Sequence, residues 1–286
     1  MAAPWRTRSG QISALKLGVF IGLFLPALWL ALRWAGLASD LGPRPIMETI
    51  HRSGDWAVRL WLISLAITPL RHLFRAAPLV QVRRMVGVAV FAYAALHFAL
   101  YSVDLSFDLL KVASEIYLRF YLTIGFVALL GLGAMAATST DGMLRRMGGR
   151  AWRGLHRLTY PLAVVALVHF GLQSKLDVSE PMVMTGLLLW VLLLRWPKAR
   201  GGWALVPGVI AVALATAGLE ALWYSLRSGA PLMAVISVNF STGLGVRPAH
   251  WVGILTGAVA LAALLWQARP IGASRGNSRT AKVARS

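Results

Sequence analysis

Three histidines stand in or beside long apolar runs: His97 in FAYAALHFALY, His156 in RGLHRLTY and His169 in AVVALVHFGL. An ionisable side chain at membrane depth is expensive, so by default it marks a functional site or a paired buried contact. A neutral imidazole nitrogen is also a common ligand of metals, heme iron among them. At 1.5 Å per residue, His97 lies about 18 Å along its apolar run from the basic end, and His169 lies at a comparable depth on another. Two imidazoles at matching depth on neighbouring helices suit one heme clamped from both sides. His156 precedes His169 by thirteen residues, about 20 Å lower, so a second cofactor level fits within the same slab. On a straight helix those thirteen residues would leave the two rings about 140° apart in azimuth. Pro161 lies between them and predicts a kink that re-aims one. Two other readings remain open at this point. Each histidine could be a hydrogen-bonded packing residue, or the set could serve metal-ion transport. Transport would call for intramembrane acids, and Glu220 is the one present; paired glycine-interrupted helices are not evident.

The elements that must hold these residues are membrane spans. The chain has 286 residues, of which 58% are hydrophobic and 14% charged, with a mean hydropathy of +0.67. Soluble chains carry roughly 25% charged residues, so the solvent for this much apolar surface is lipid. Eight spans are predicted, over 15–36, 56–74, 85–103, 119–138, 152–173, 181–197, 203–225 and 250–268, each near the length that crosses the hydrocarbon. Tryptophans such as Trp34, Trp56, Trp152, Trp196, Trp251 and Trp266 fall near span ends, as an aromatic belt requires. The net charge of +19 would suggest nucleic acid in a soluble protein, but the cations sit between the apolar runs. Of the 29 Lys and Arg, 20 fall on one side of the predicted topology, and eight of the ten acids fall on the other. That bias puts both termini in the cytoplasm. With no cysteine, disulfides, cysteine-held iron–sulfur clusters and covalently attached heme are excluded, so any heme is held as b-type. The basic N-terminus leads into an apolar run too long for a signal-peptide core and reads as a retained first span. The segment 271–286 reads as a disordered basic tail with weak affinity for anionic lipid.

The stretches HRSGDWAVRLWLISLAITPLR (51–71), VRRMVGVAVFAYAALHFALY (82–101), YLTIGFVALLGLGAMAATSTDGMLRRMGGRAWRGLHRLTY (121–160) and VVALVHF (164–170) resemble the MsrQ (YedZ) family. These are heme-binding membrane subunits of bacterial protein-methionine-sulfoxide reductase systems, within the wider ferric-reductase-like transmembrane group. The resemblance spans about residues 10–200 and rests on an ordered series of motifs. It implies an all-α bundle with a six-helix ferric-reductase-like core in the bacterial inner membrane. It also implies b-type heme, one or two, held by His97, His156 and His169, and a bound FMN. Electrons would come from the quinone pool or a cytoplasmic flavin reductase and pass to MsrP, a periplasmic molybdopterin methionine-sulfoxide reductase that carries the catalysis.

Two-heme relatives place a further histidine where this chain has Arg83 and Arg84. Three readings of that pair stay open: an unusual axial ligand, partners for heme propionates or a flavin phosphate, or topology signal alone. His72, after the ITPLR motif, is a secondary candidate for the cytoplasmic edge. His51 belongs to the outer loop motif and is expected to pack or cap, and His250 to sit at the outer interface. The division expected is a heme domain over 1–200, a two-helix extension over 201–270 and the tail. In the extension Glu220 reads as protonated and hydrogen-bonded, or as part of a quinone site. No G-x-G-x-x-G occurs after a strand, so NADPH oxidation is not expected of these residues. The competing functions are a ferric or cupric reductase with another outer acceptor, and a metal-ion permease.

Overall fold

A computed structural model describes residues 3–268 apart from 8, 176, 242 and 244; the tail expected over 271–286 lies outside the described residues. Among these residues the chain forms twelve α-helices and no strand. In chain order they are α1 (Ala14–Gly22), α2 (Leu25–Trp34), α3 (Pro45–Leu73), α4 (Arg83–Asp104), α5 (Leu109–Leu118) and α6 (Phe120–Ala137). The second half comprises α7 (Asp141–Arg157), α8 (Thr159–Gln173), α9 (Ser179–Leu193), α10 (Leu205–Ser228), α11 (Leu232–Asn239) and α12 (Pro248–Gln267).

Six helical stretches are long and apolar enough to cross a membrane: Ala14–Trp34, Arg83–Asp104, Phe120–Ala137, Asp141–Gln173, Gly202–Ser228 and Pro248–Gln267. The 29-residue α3 is longer still, but its first half carries Glu48, Arg52, Asp55 and Arg59. The apolar α9 is shorter, at 15 residues. These eight regions overlap the eight predicted spans, six of them with the length and apolarity of a span, and the chain is a polytopic helical membrane protein. Large apolar side chains on α2, α6, α10 and α12, such as Leu28, Leu130, Leu214 and Leu261, face outward; lipid is the solvent such faces need.

Tertiary contacts and local sequence together explain where the helices depart from expectation. The first span is broken between α1 and α2. There the Tyr93 hydroxyl donates to the Leu23 carbonyl at 2.8 Å and accepts from the Ala27 N–H at 3.1 Å. It occupies the place of the helical bond those two groups would make with each other, a recognised cause of a kink. Helix α3 starts eleven residues before the predicted span because Pro45 suits a first helical turn and Glu48 complements its dipole. The basic run after α6 forms the separate α7, divided by Gly148 at φ +77°, a conformation glycine tolerates. Helix α7 ends at Arg157, four residues before Pro161, where the missing N–H and the proline ring both interrupt the ladder. The predicted kink is therefore present, as an interruption of the helix at Leu158. Two short helices, α5 and α11, were not anticipated. The first is capped by Asp108, whose carboxylate accepts from the Lys111 N–H at 3.0 Å.

The main core lies between α3, α4, α6, α8 and α9, around Trp61, Leu65, Val90, Leu132, Leu167 and Leu188. A second core joins α9 to α10 and α12 through Trp190, Leu194, Leu205, Val252 and Ala260, with Leu73 of α3. Helices α10 and α12 thus pack onto the bundle mainly through α9.

Candidate functional site

Helices α3 and α6 begin at the end of the bundle where α4 and α8 finish, and that end holds His97 and His169. Their ring centres lie 6.4 Å apart with the planes 83° to each other. His97 Nδ1 is 2.7 Å from the Ile50 carbonyl oxygen of α3, and His169 Nδ1 is 2.7 Å from the Tyr121 carbonyl oxygen of α6. A carbonyl only accepts, so both Nδ1 atoms carry the proton. In the neutral ring that leaves Nε2 with its lone pair, the form that binds a metal, with the other nitrogen fixed by an outer partner. Phe98 and Phe126, beside this pair on α4 and α6, pack with ring centres 5.6 Å apart.

The spacing would suit one metal ion held between the two imidazoles. A five-membered ring with bonds of about 1.35 Å has its centre about 1.15 Å from each nitrogen. Two metal–nitrogen bonds of about 2 Å in line would then separate the ring centres by about 6.3 Å, close to the observed value. Perpendicular rings meet no steric conflict in such an arrangement. Among the described residues no group of three or more His, Cys, Asp and Glu is placed to hold a metal ion.

His156 is held differently. Its ring stacks on Trp152, with centres 3.9 Å apart and planes 23° from parallel, and its Nε2 is 3.2 Å from the Thr138 hydroxyl. The Trp152 indole N–H donates to the Thr138 carbonyl at 2.9 Å and so caps the end of α6. His156 and Trp152 face a cavity of about 430 Å³ also lined by Arg83, Arg84, Arg153 and Arg157, with Trp61 and Tyr160 as aromatic walls. The structure therefore brings His156, Arg83 and Arg84 to one cavity at the arginine-rich end, apart from His97 and His169. Arg84 pairs there with Asp141. A cationic, aromatic-walled cavity suits a planar group bearing carboxylates or a phosphate. A larger cleft of about 1310 Å³ lies between the first span and α4, with Phe20, Phe24, Val88 and Ala92 along it and Arg6 and Lys16 near one end. Val80 and Arg84 line both spaces.

The remaining histidines stand elsewhere. His72 contacts the Arg71 guanidinium Nε at 3.4 Å on an exposed surface and does not line the basic cavity. His51 is exposed on α3. His250 Nδ1 accepts from the Arg247 N–H at 3.1 Å and caps α12. Glu220 is fully buried and pairs with Arg247, and it accepts from Asn239 at 3.0 Å. A polar partner was expected for it; a charged arginine was not. Sequence reasoning also missed Trp152 and Thr138 as neighbours of His156, and the carbonyls of Ile50 and Tyr121, since backbone groups leave no mark in a residue pattern.

The profile of the ferric reductase like transmembrane component family matches residues 53–167, a stretch that includes His97 and His156 and ends two residues before His169. A Rhodospirillum rubrum protein described as protein-methionine-sulfoxide reductase heme-binding subunit MsrQ is 41% identical over 191 residues, covering 66% of this chain and 88% of the relative. Proteins of the same description from Caulobacter vibrioides and Xanthomonas euvesicatoria are 40% identical over 177 residues and 43% over 164. Those two matches cover 60% and 57% of this chain and 83% and 74% of the relatives. No solved structure matches significantly. With that identity over most of a relative's length, and the ferric-reductase-like profile across the histidine helices, the chain belongs to the MsrQ family.

Proposed function

We propose that this chain is the b-type heme electron-transfer subunit of a methionine-sulfoxide repair system in a bacterial inner membrane. The observation that carries the reading is the His97–His169 pair: two rings at ligating separation, each with Nδ1–H committed to a backbone carbonyl and Nε2 left basic. Bound between them, heme supplies a one-electron iron centre. The chain's own residues hold the ring planes, fix the tautomers and surround the site with apolar helix faces. Both termini lie in the cytoplasm by the charge bias, which sets His97 and His169 toward the periplasm and the acceptor, an MsrP-type molybdopterin reductase. Sulfoxide reduction takes place on that partner.

The basic cavity at the cytoplasmic end holds a second planar anionic cofactor, FMN or another heme, with Arg83, Arg84, Arg153 and Arg157 on its carboxylates or phosphate. His156, with its Nε2 beside Thr138, would line this site or ligate through Nδ1. The adjoining cleft along α4 supports quinol as the donor, because an isoprenoid tail suits its apolar length and Arg84 borders both spaces; a cytoplasmic flavin reductase is the other donor. The heme domain spans 1–200 and the extension 201–270. A ferric or cupric reductase would use the same histidines with a different acceptor. A permease is disfavoured by the pairing of Glu220 on α10 with Arg247 at the start of α12, far in sequence from the histidines.

Purified protein should show a Soret band and reducible b-type features, with heme counted as the pyridine hemochrome. His97→Ala and His169→Ala should each abolish the signal of the outer site, while His156→Ala should preserve it. An absent Soret band, or an unchanged spectrum in both outer variants, would overturn the reading. Transfer of electrons to purified MsrP, tested against ferric citrate, separates the two acceptors.

A further inference from the structure

The His97 and His169 contacts are two copies of one device. In each, a histidine reaches a helix carbonyl at position i, and the residue at i+4 of that helix is glycine: Ile50 and Gly54 for His97, Tyr121 and Gly125 for His169. The carbonyl at i is the one that accepts the N–H of i+4 in an α-helix. Its second lone pair is open only to a group that comes in beside residue i+4. A side chain there would stand in the way. An alanine Cβ at 125 would lie 2.7 Å from His169 Nδ1 and 2.8 Å from Cε1, and one at 54 would lie 3.0 and 3.1 Å from the same atoms of His97. The histidine follows its glycine by 43 residues in one copy and 44 in the other, and in both it comes from the end of a helix directed the opposite way.

We infer that Gly54 and Gly125 are positioning residues that open the flanks of α3 and α6, so that His97 and His169 donate from Nδ1 to the Ile50 and Tyr121 carbonyls and present a basic Nε2. The role of Nε2 as ligand rests on the function proposed above; the packing of ring against glycine does not. A bond from Nδ1–H to a carbonyl raises the basicity of the other nitrogen and so favours the oxidised metal. Losing it should raise the midpoint potential. The collision is closer at Gly125, so the His169 side should respond more strongly.

The test uses full-length protein, with Gly54→Ala, Gly125→Ala, His97→Ala, His169→Ala and the doubles Gly54→Ala/His97→Ala and Gly125→Ala/His169→Ala. In heme-replete membranes Gly125→Ala should retain heme on the order of 10-fold less firmly, with Gly54→Ala milder, and the heme that remains should titrate at a higher potential. In heme-free protein, Gly125→Ala should lower the thermal unfolding midpoint when His169 is present and leave it unchanged or higher in the His169→Ala background. Alanine is the better helix former, so once the ring is gone the added methyl carries no penalty. Wild-type heme retention and potential in both glycine variants would overturn the inference, as would equal destabilisation by Gly125→Ala in both backgrounds. If Gly125→Ala fails to accumulate, its double variant and the Gly54 pair decide the same point. If His97→Ala and His169→Ala keep full heme, the ligation reading fails, while the coupling in heme-free protein still decides the positioning role.

Discussion

Single side chains determine what each end of this bundle can hold. His97 and His169 owe their metal-ready tautomer to backbone carbonyls, whereas His156 owes its placement to an indole and a threonine hydroxyl. Trp152 both stacks on His156 and caps α6 through the Thr138 carbonyl. Replacing it by alanine removes an aromatic stack worth about 0.5–1.5 kcal/mol and a hydrogen bond worth about 1 kcal/mol. Trp152→Ala should therefore destabilise the protein by about 2 kcal/mol in thermal unfolding. It should also release the cofactor proposed for the basic cavity, counted as extracted FMN or as the second hemochrome equivalent, and leave the outer-site absorption in place. Loss of the outer signal instead would mean that the two levels are not separable. The histidines themselves were legible because a titratable group in an apolar run stands out. The role of Trp152 was not, because a tryptophan at a span end serves an interface belt equally well, and only the fold brings Thr138 and His156 together.

At the level of elements, the breaks in the helices are as informative as their lengths. Pro161 signals its own break in the sequence, since it lacks an N–H and crowds the carbonyl four residues before. The break in the first span is different: its cause is Tyr93, distant in sequence, whose hydroxyl stands between the Leu23 carbonyl and the Ala27 N–H. No local pattern in residues 14–34 announces it, beyond Pro26 in the first turn of α2. Tyr93→Phe should leave those two backbone groups unpartnered in an apolar setting and destabilise the protein by about 1–3 kcal/mol, read as a lower unfolding midpoint in detergent. A neutral result would show that α1 and α2 close their own ladder once the hydroxyl is gone, and that the tyrosine is not what keeps them apart. The spans were legible from hydropathy because lipid requires uninterrupted apolar length. The early start of α3, the separation of α7 from α8, and α5 and α11 were missed because charged or amphipathic turns at a membrane surface carry no such length signal.

Over the whole molecule, two cores meet along α9, and the second is locked by one buried ion pair. Glu220 is fully enclosed between Arg247 and Asn239, tying α10 to the start of α12 and to α11. This lock lies beyond residues 53–167, the stretch that the ferric-reductase-like profile matches. A buried ion pair adds little net stability compared with an apolar replacement, but removing one partner strands the other charge. Glu220→Ala should accordingly lower stability by about 3–5 kcal/mol, and the double variant Glu220→Ala/Arg247→Met should recover much of that loss. The main core around Trp61, Leu132 and Leu167 does not include the pair, and the His97–His169 contacts are made by α3, α4, α6 and α8. The outer heme spectrum and potential should therefore stay unchanged in Glu220→Ala below its unfolding transition. A spectrum that shifts in the folded variant would mean that the extension reaches the redox site, most directly through Trp223 of α10, which packs against Gly171 two residues beyond His169. Stability and spectrum measured on one sample thus distinguish a scaffold that only braces α9 from one that tunes the electron-transfer centre.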